Sequence, residues 1–120
     1  MCGSTDIDYL LRTLEQGVFI GFDRFGVEGA VGTPADSDRQ ACLAKLLDLG
    51  YAGQIMLSHD YVNYWLGRPG IGEKMEQTLK NWRPSHIFRN VLPALKNSGV
   101  TPEQIQTMMV DNPRRLLAEA

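Results

Sequence analysis

Two apolar runs in this chain end in carboxylates. Gln54-Ile55-Met56-Leu57-Ser58 stops at His59-Asp60-Tyr61, and Val18-Phe19-Ile20-Gly21-Phe22 stops at Asp23-Arg24. If both runs are parallel strands, these are their carboxyl ends, where α/β proteins bind ligands and carry out chemistry. Asp60 ends a very apolar run and opens the longest irregular segment, so it is the stronger site residue. Asp23 reads equally well as a loop cap that bonds nearby backbone amides. Successive strand residues point to opposite faces, so His59 and Asp60 should not share one pocket. His59 is then a packed or hydrogen-bonded neighbour. His86, after Pro84-Ser85 at a helix start, reads as structural.

Other chemistries lack their parts. The two histidines are too far apart for zinc-ligand spacing, and no complete metal site can be assembled from this chain alone. Gly67-Arg68-Pro69-Gly70-Ile71-Gly72 is glycine-rich but follows a loop and has no Lys-Ser/Thr for a phosphate. Ser58 has no glycine frame, so a serine nucleophile is not indicated. Cys2 and Cys42 have no histidine placed to activate them and read as reduced thiols of a cytoplasmic protein. Met108-Met109 reads as core filling.

The elements that must position Asp60 follow from pattern. Ile7, Leu10, Leu11 and Leu14 share a helical face between a cap at Ser4 or Thr5 and a stop at Gly17. Both apolar runs lack polar alternation, as parallel strands covered on both faces do. Between them a glycine-rich loop, 23–35, leads to a helix capped by Asp36 or Ser37 and carrying Leu43, Leu46 and Leu47. Residues 61–84 form a long loop with room for a short helix near 73–79, and loops of that length are usually functional or mobile. A further helix follows from Ser85, kinked at Pro93. Thr101-Pro102-Glu103-Gln104 is a capping box with proline at the first helical position, and Asn112-Pro113 reads as the cap of a final short helix. Arg114-Arg115 reads as a solvated helix end.

At 120 residues and 43% hydrophobic, the chain accommodates a single core. Twelve basic and fourteen acidic residues leave a formal charge of −2, which is no footprint for nucleic acid. No apolar run reaches the roughly 20 residues of a membrane span, and no signal-peptide pattern is present. The alternation of helices and strands gives a parallel strand pair, yet a lone pair leaves two unpaired edges. Either copies of the chain cover one another's edges, making a homo-oligomer, or the chain is part of a larger sheet or barrel.

The ordered set GVFIGFDRFG (17–26), GYAGQIMLSHDY (50–61) and HIFRNVLPALKNSGVTPEQIQTMMVDNPRRLL (86–117) resembles the carboxyl-terminal part of the phosphotriesterase-related proteins of the amidohydrolase superfamily. The resemblance implies an α/β fold: strand seven to helix eight, plus helix six, of a (β/α)8 barrel. It implies hydrolysis of a small-molecule lactone, ester or phosphotriester by hydroxide on divalent metal ions, zinc foremost. Asp60 would be a metal ligand and the catalytic proton acceptor. Arg24 would donate to a substrate carbonyl or phosphoryl oxygen, or strut a neighbouring loop, and Tyr61, Tyr64 and Trp65 would line the substrate pocket. Trp82 would line it too or anchor the loop. The family's other metal ligands have no counterpart here, so the fragment alone is expected to bind no metal and to be inactive.

Overall fold

The computed structural model describes residues 3–29, 32–62, 64, 66–67 and 71–118. Trp65 and Cys2 therefore lie outside the described residues. Helix α1 (Ile7–Leu14) buries Leu10 and Leu14 and ends at Gly17 in the left-handed region, φ +76°. Its cap is Asp6 rather than Ser4 or Thr5. The Asp6 carboxylate accepts from the Tyr9 amide at 3.0 Å, while Ser4 Oγ accepts from the Asp6 amide.

Strands β1 (Ile20–Phe22) and β2 (Ile55–Leu57) are parallel, with Ile20 opposite Ile55 and Phe22 opposite Leu57. Both are shorter than the apolar runs that contain them. Ile20, Phe22 and Ile55 are buried against the helices. A Cβ on Gly21 would lie 3.7 Å from the Asp23 Cβ, so these two residues share the opposite face. Among the described residues each strand pairs along one edge only.

Helix α2 (Asp36–Asp48) crosses from β1 back to β2 and buries Leu43, Leu46 and Leu47. Its N-cap is Ala35, with no side-chain cap bond. Asp36 and Ser37, the expected caps, stand inside the helix, because the Asp36 carboxylate turns inward to other partners. A tight turn over Tyr51–Gln54 then leads into β2. The Gln54 amide donates to the carbonyls of Leu14 (2.8 Å) and Val18 (3.1 Å), fastening the start of β2 beside the start of β1.

Within the long segment before residue 85 lies α3 (Ile71–Thr78). The next helix opens with a π-helical turn, Ile87–Val91, and continues as α4 (Leu92–Asn97). The expected kink at Pro93 is thus a widened turn just before it: Leu92 N–H reaches back to the Ile87 carbonyl, five residues away. Such a turn relaxes the ladder where proline has no N–H to give and its ring crowds the preceding turn. Helix α5 (Pro102–Gln106) starts with the expected capping box, in which Thr101 Oγ1 accepts from Gln104 N–H and Gln104 Oε1 from Thr101 N–H.

A second π-helical turn, Thr107–Asp111, joins α5 to α6 (Asn112–Ala118). Asn112 is therefore helical, not a cap. It is fully buried, and its amide donates to the carbonyls of Ala52 and Ile55, both at 2.7 Å. The sequence offered a local capping role, but two carbonyls at the start of β2 claim the side chain. Arg115 is likewise more than a solvated end: it donates to the Gly53 carbonyl at 2.7 Å and lies over the Phe19 ring. Met108 is fully buried and Met109 packs beside it, as core filling requires. Among the described residues no helix is long and apolar enough to cross a membrane.

Candidate active site at the carboxyl ends of the strands

The ladder continues beyond the two strands. Ser58 N–H donates to the Phe22 carbonyl at 2.9 Å, and Phe25 N–H to the Ser58 carbonyl at 3.3 Å. The chain then turns sharply at Asp60, whose φ is +51°, the only positive φ among the described non-glycine residues. Left-handed backbone costs a side-chain-bearing residue roughly 1 kcal/mol, and aspartate is among the types that tolerate it best. Trp82 holds the turn. Its indole N–H donates to the carbonyls of His59 (2.8 Å) and Asp60 (3.1 Å), and the ring itself is buried.

Around this turn the expected residues take definite places. The Asp60 carboxylate is more than half exposed, and Arg24 Nε lies 3.6 Å from its Oδ2. That is too long for a good hydrogen bond and, at this exposure, is worth little to stability. His59 is a hydrogen-bonded neighbour, its Nδ1 accepting from the Tyr61 amide at 3.0 Å. The Tyr61 ring meets the Trp82 ring at 5.3 Å and the His59 imidazole edge-on at 6.2 Å. Tyr64 is exposed. Arg24 is thus brought to Asp60, Tyr61 turns to Trp82 and His59, and Trp65 lies outside the described residues.

Behind the β1 end lies a buried polar cluster that the sequence did not announce. Asp36 accepts from Gly26 N–H through both oxygens (3.1 and 2.9 Å), from Arg39 Nη1 at 2.7 Å and from His86 at 2.6 Å. Asn90 Nδ2 faces the other imidazole nitrogen, Nδ1, at 2.9 Å. Arg39 also donates to the Val27 carbonyl at 2.7 Å. Glu28 accepts from the Asp36 amide and from Asn81 Nδ2, each at 2.9 Å. The Asp36 amide bond, aided by Asn81, holds the Glu28 carboxyl below its ordinary value against the opposing effect of partial burial. The spacing Asp36-x-x-Arg39 was the one available signal; nothing local pointed to His86, fifty residues away.

Three clefts lined by described residues leave Asp60 out of their walls. One, about 600 Å³, is lined by Glu73, Gln77, Leu79, Trp82 and Arg83. A smaller one, about 370 Å³, lies between residues 3–5, 32–34, Arg24 and Arg39. Among the described residues no three His, Cys, Asp or Glu side chains gather where they could hold a metal ion. Asp60 faces a guanidinium instead, so the described residues do not by themselves fit a divalent centre.

Comparison with known proteins decides the lineage. Residues 1–117 match the profile of the Phosphotriesterase family. The chain belongs to that family. A phosphotriesterase homology protein of Mycobacterium tuberculosis is 43% identical over 116 residues, covering 96% of this chain and 34% of that protein. An aryldialkylphosphatase of Saccharolobus solfataricus is 33% identical, with 97% of this chain and 36% of that protein covered. Among solved structures, an organophosphorus hydrolase from Deinococcus radiodurans superposes with a TM-score of 0.86 at 48% identity, over 97% of this chain and 35% of its own. The chain thus spans about a third of the length of the relatives it matches. Its fold is that of the corresponding part of the family's (β/α)8 barrel, as the resemblance of its segments implied.

Proposed function

We propose that residues 1–120 are the carboxyl-terminal third of a metal-dependent hydrolase that cleaves small lactones, carboxylic esters or phosphotriesters. The carrying observation is the pairing of Asp60 and Arg24 at adjacent strand ends, in a chain 48% identical to an organophosphorus hydrolase. Asp60 would be the one metal ligand this chain contributes, and its carboxylate, held in a fixed turn yet open to solvent, is placed to accept a proton from water. Arg24 donates to the substrate oxygen that gains charge. Tyr61 and Trp65 contribute the substrate wall. The remaining ligands come from the part of the barrel that the relatives have in addition, zinc being the ion that suits histidine and carboxylate donors.

A chimera tests this. Residues 1–120 replace the corresponding third of the Deinococcus radiodurans organophosphorus hydrolase, and hydrolysis of a lactone, an aryl ester and a phosphotriester is measured. The chimera should turn over at least one of them, with Asp60→Ala lowering kcat by about 100-fold or more. An inactive but folded, metal-loaded chimera would refute the reading. The 120 residues alone should hydrolyse none of the three, and chelator should leave their thermal midpoint unchanged.

The open strand edges, together with exposed Phe88, Leu66 and Leu117, favour a second reading for the chain on its own. It would be a non-catalytic partial barrel that folds by self-association, copies covering one another's edges. Light scattering separates the two: a folded monomer excludes self-association, and a discrete oligomer without hydrolysis supports it.

A further inference from the structure

We propose that Trp82 is the positioning residue of Asp60, and that the loop after β1 sets it in place. The inference rests on the reading of Asp60 as the reacting carboxylate. Trp82 N–H donates to two consecutive carbonyls, His59 and Asp60, which straddle the left-handed turn. One donor shared between them fixes the orientation of the peptide joining these residues, and hence the direction of the Asp60 side chain.

Trp82 is in turn braced from the other strand end. Gly26, at φ +92°, packs so closely on Asn81 that a Cβ there would lie 2.3 Å from the Asn81 carbonyl oxygen and 2.9 Å from the Trp82 Cα. Glu28 holds the Asn81 side chain, and the Asp36 carboxylate anchors the Gly26 amide. A continuous path therefore runs from the buried cluster through Gly26 and Asn81 to Trp82 and the Asp60 turn. The Tyr61 ring closes it from the solvent side.

The test uses the chimeric barrel, with Trp82 replaced by β-(3-benzothienyl)alanine, which keeps the shape of indole and puts sulfur where the N–H was. Trp82→Phe serves as a second, smaller variant. The isostere should keep the thermal midpoint of the parent. Its kcat should fall by about 10- to 100-fold with KM within about threefold, because a misplaced reacting group affects the transition state more than substrate binding. In its crystal structure Asp60 should leave the left-handed region. An isostere with parental kcat and an unmoved Asp60 overturns the proposal. If the parent chimera itself shows no hydrolysis, the functional reading fails, while the position of Asp60 in the isostere's crystal structure still decides the role of Trp82.

Discussion

The two strand ends of this chain are built differently. Behind the end of β1, Asp36, Arg39 and His86 are buried; Arg39 and His86 each bond Asp36, which also accepts from Gly26, while Arg39 donates to Val27. At the end of β2, Asp60 is exposed, turned into unfavourable backbone, and opposed by an arginine at 3.6 Å. The first region answers its own charges from within the chain. The second has its backbone held and its carboxylate left available. That contrast separates a structural clamp from the proposed reactive edge: buried charge must be paired to exist, whereas a group proposed to meet substrate keeps its carboxylate open.

The largest expected effect lies in the clamp. Asp36→Ala strands Arg39 and His86 in the interior, and urea denaturation should show a loss of about 3–5 kcal/mol. A loss under about 1 kcal/mol would mean that water replaces the carboxylate and the clamp is not closed. Asn112→Ala frees the Ile55 carbonyl, buried at the start of β2, and the part-buried Ala52 carbonyl before it, and should cost about 2 kcal/mol by the same measurement.

A smaller effect depends on pH. The lowered carboxyl of Glu28 contributes stability that is full above its ordinary value of 4.5 and is lost as pH falls through the lower folded value. The gap between the parent and Glu28→Gln should therefore be below about 1 kcal/mol at neutral pH, since Glu28 is only partly buried, and should shrink on acidification. A gap that widens below pH 4.5 would contradict the hydrogen-bonded carboxylate. The smallest stability effect belongs to the end of β2: Asp60→Asn should change the unfolding free energy by less than about 0.5 kcal/mol. A large loss would show that Arg24 and Asp60 form a structural pair, and the contrast between the two ends would collapse.

Burial also accounts for the reactivity of Cys42. Desolvation pushes its thiol up, so it should react with a thiol reagent far more slowly in the folded chain than in urea.

Much of the scaffold was legible in local pattern. The helical spacing around Leu10 and Leu14, the left-handed stop at Gly17, the parallel strand pair and the Thr101 capping box all emerged as read. The misses share a cause. Asp36, Asn112 and Arg115 each carry a residue type with a good local use as cap or solvated end, yet each side chain goes to a distant backbone or buried partner. Local chemistry lists what a polar side chain can do, and a carbonyl left over at a strand entry, sixty residues away, is not written near it.

The site divides along the same line. Sequence by itself determined the family, the two strand ends, and Asp60 as the carboxylate to examine, because an apolar run ending in an acidic residue is a local pattern. Tertiary structure alone decided that the Asp60 backbone is left-handed, that Trp82 holds it there, and that Gly26 and Glu28 brace Trp82 from the neighbouring loop. Those facts depend on which donor meets which carbonyl across more than twenty residues of chain, and hydrogen-bond geometry at that range exists only once the helices have packed.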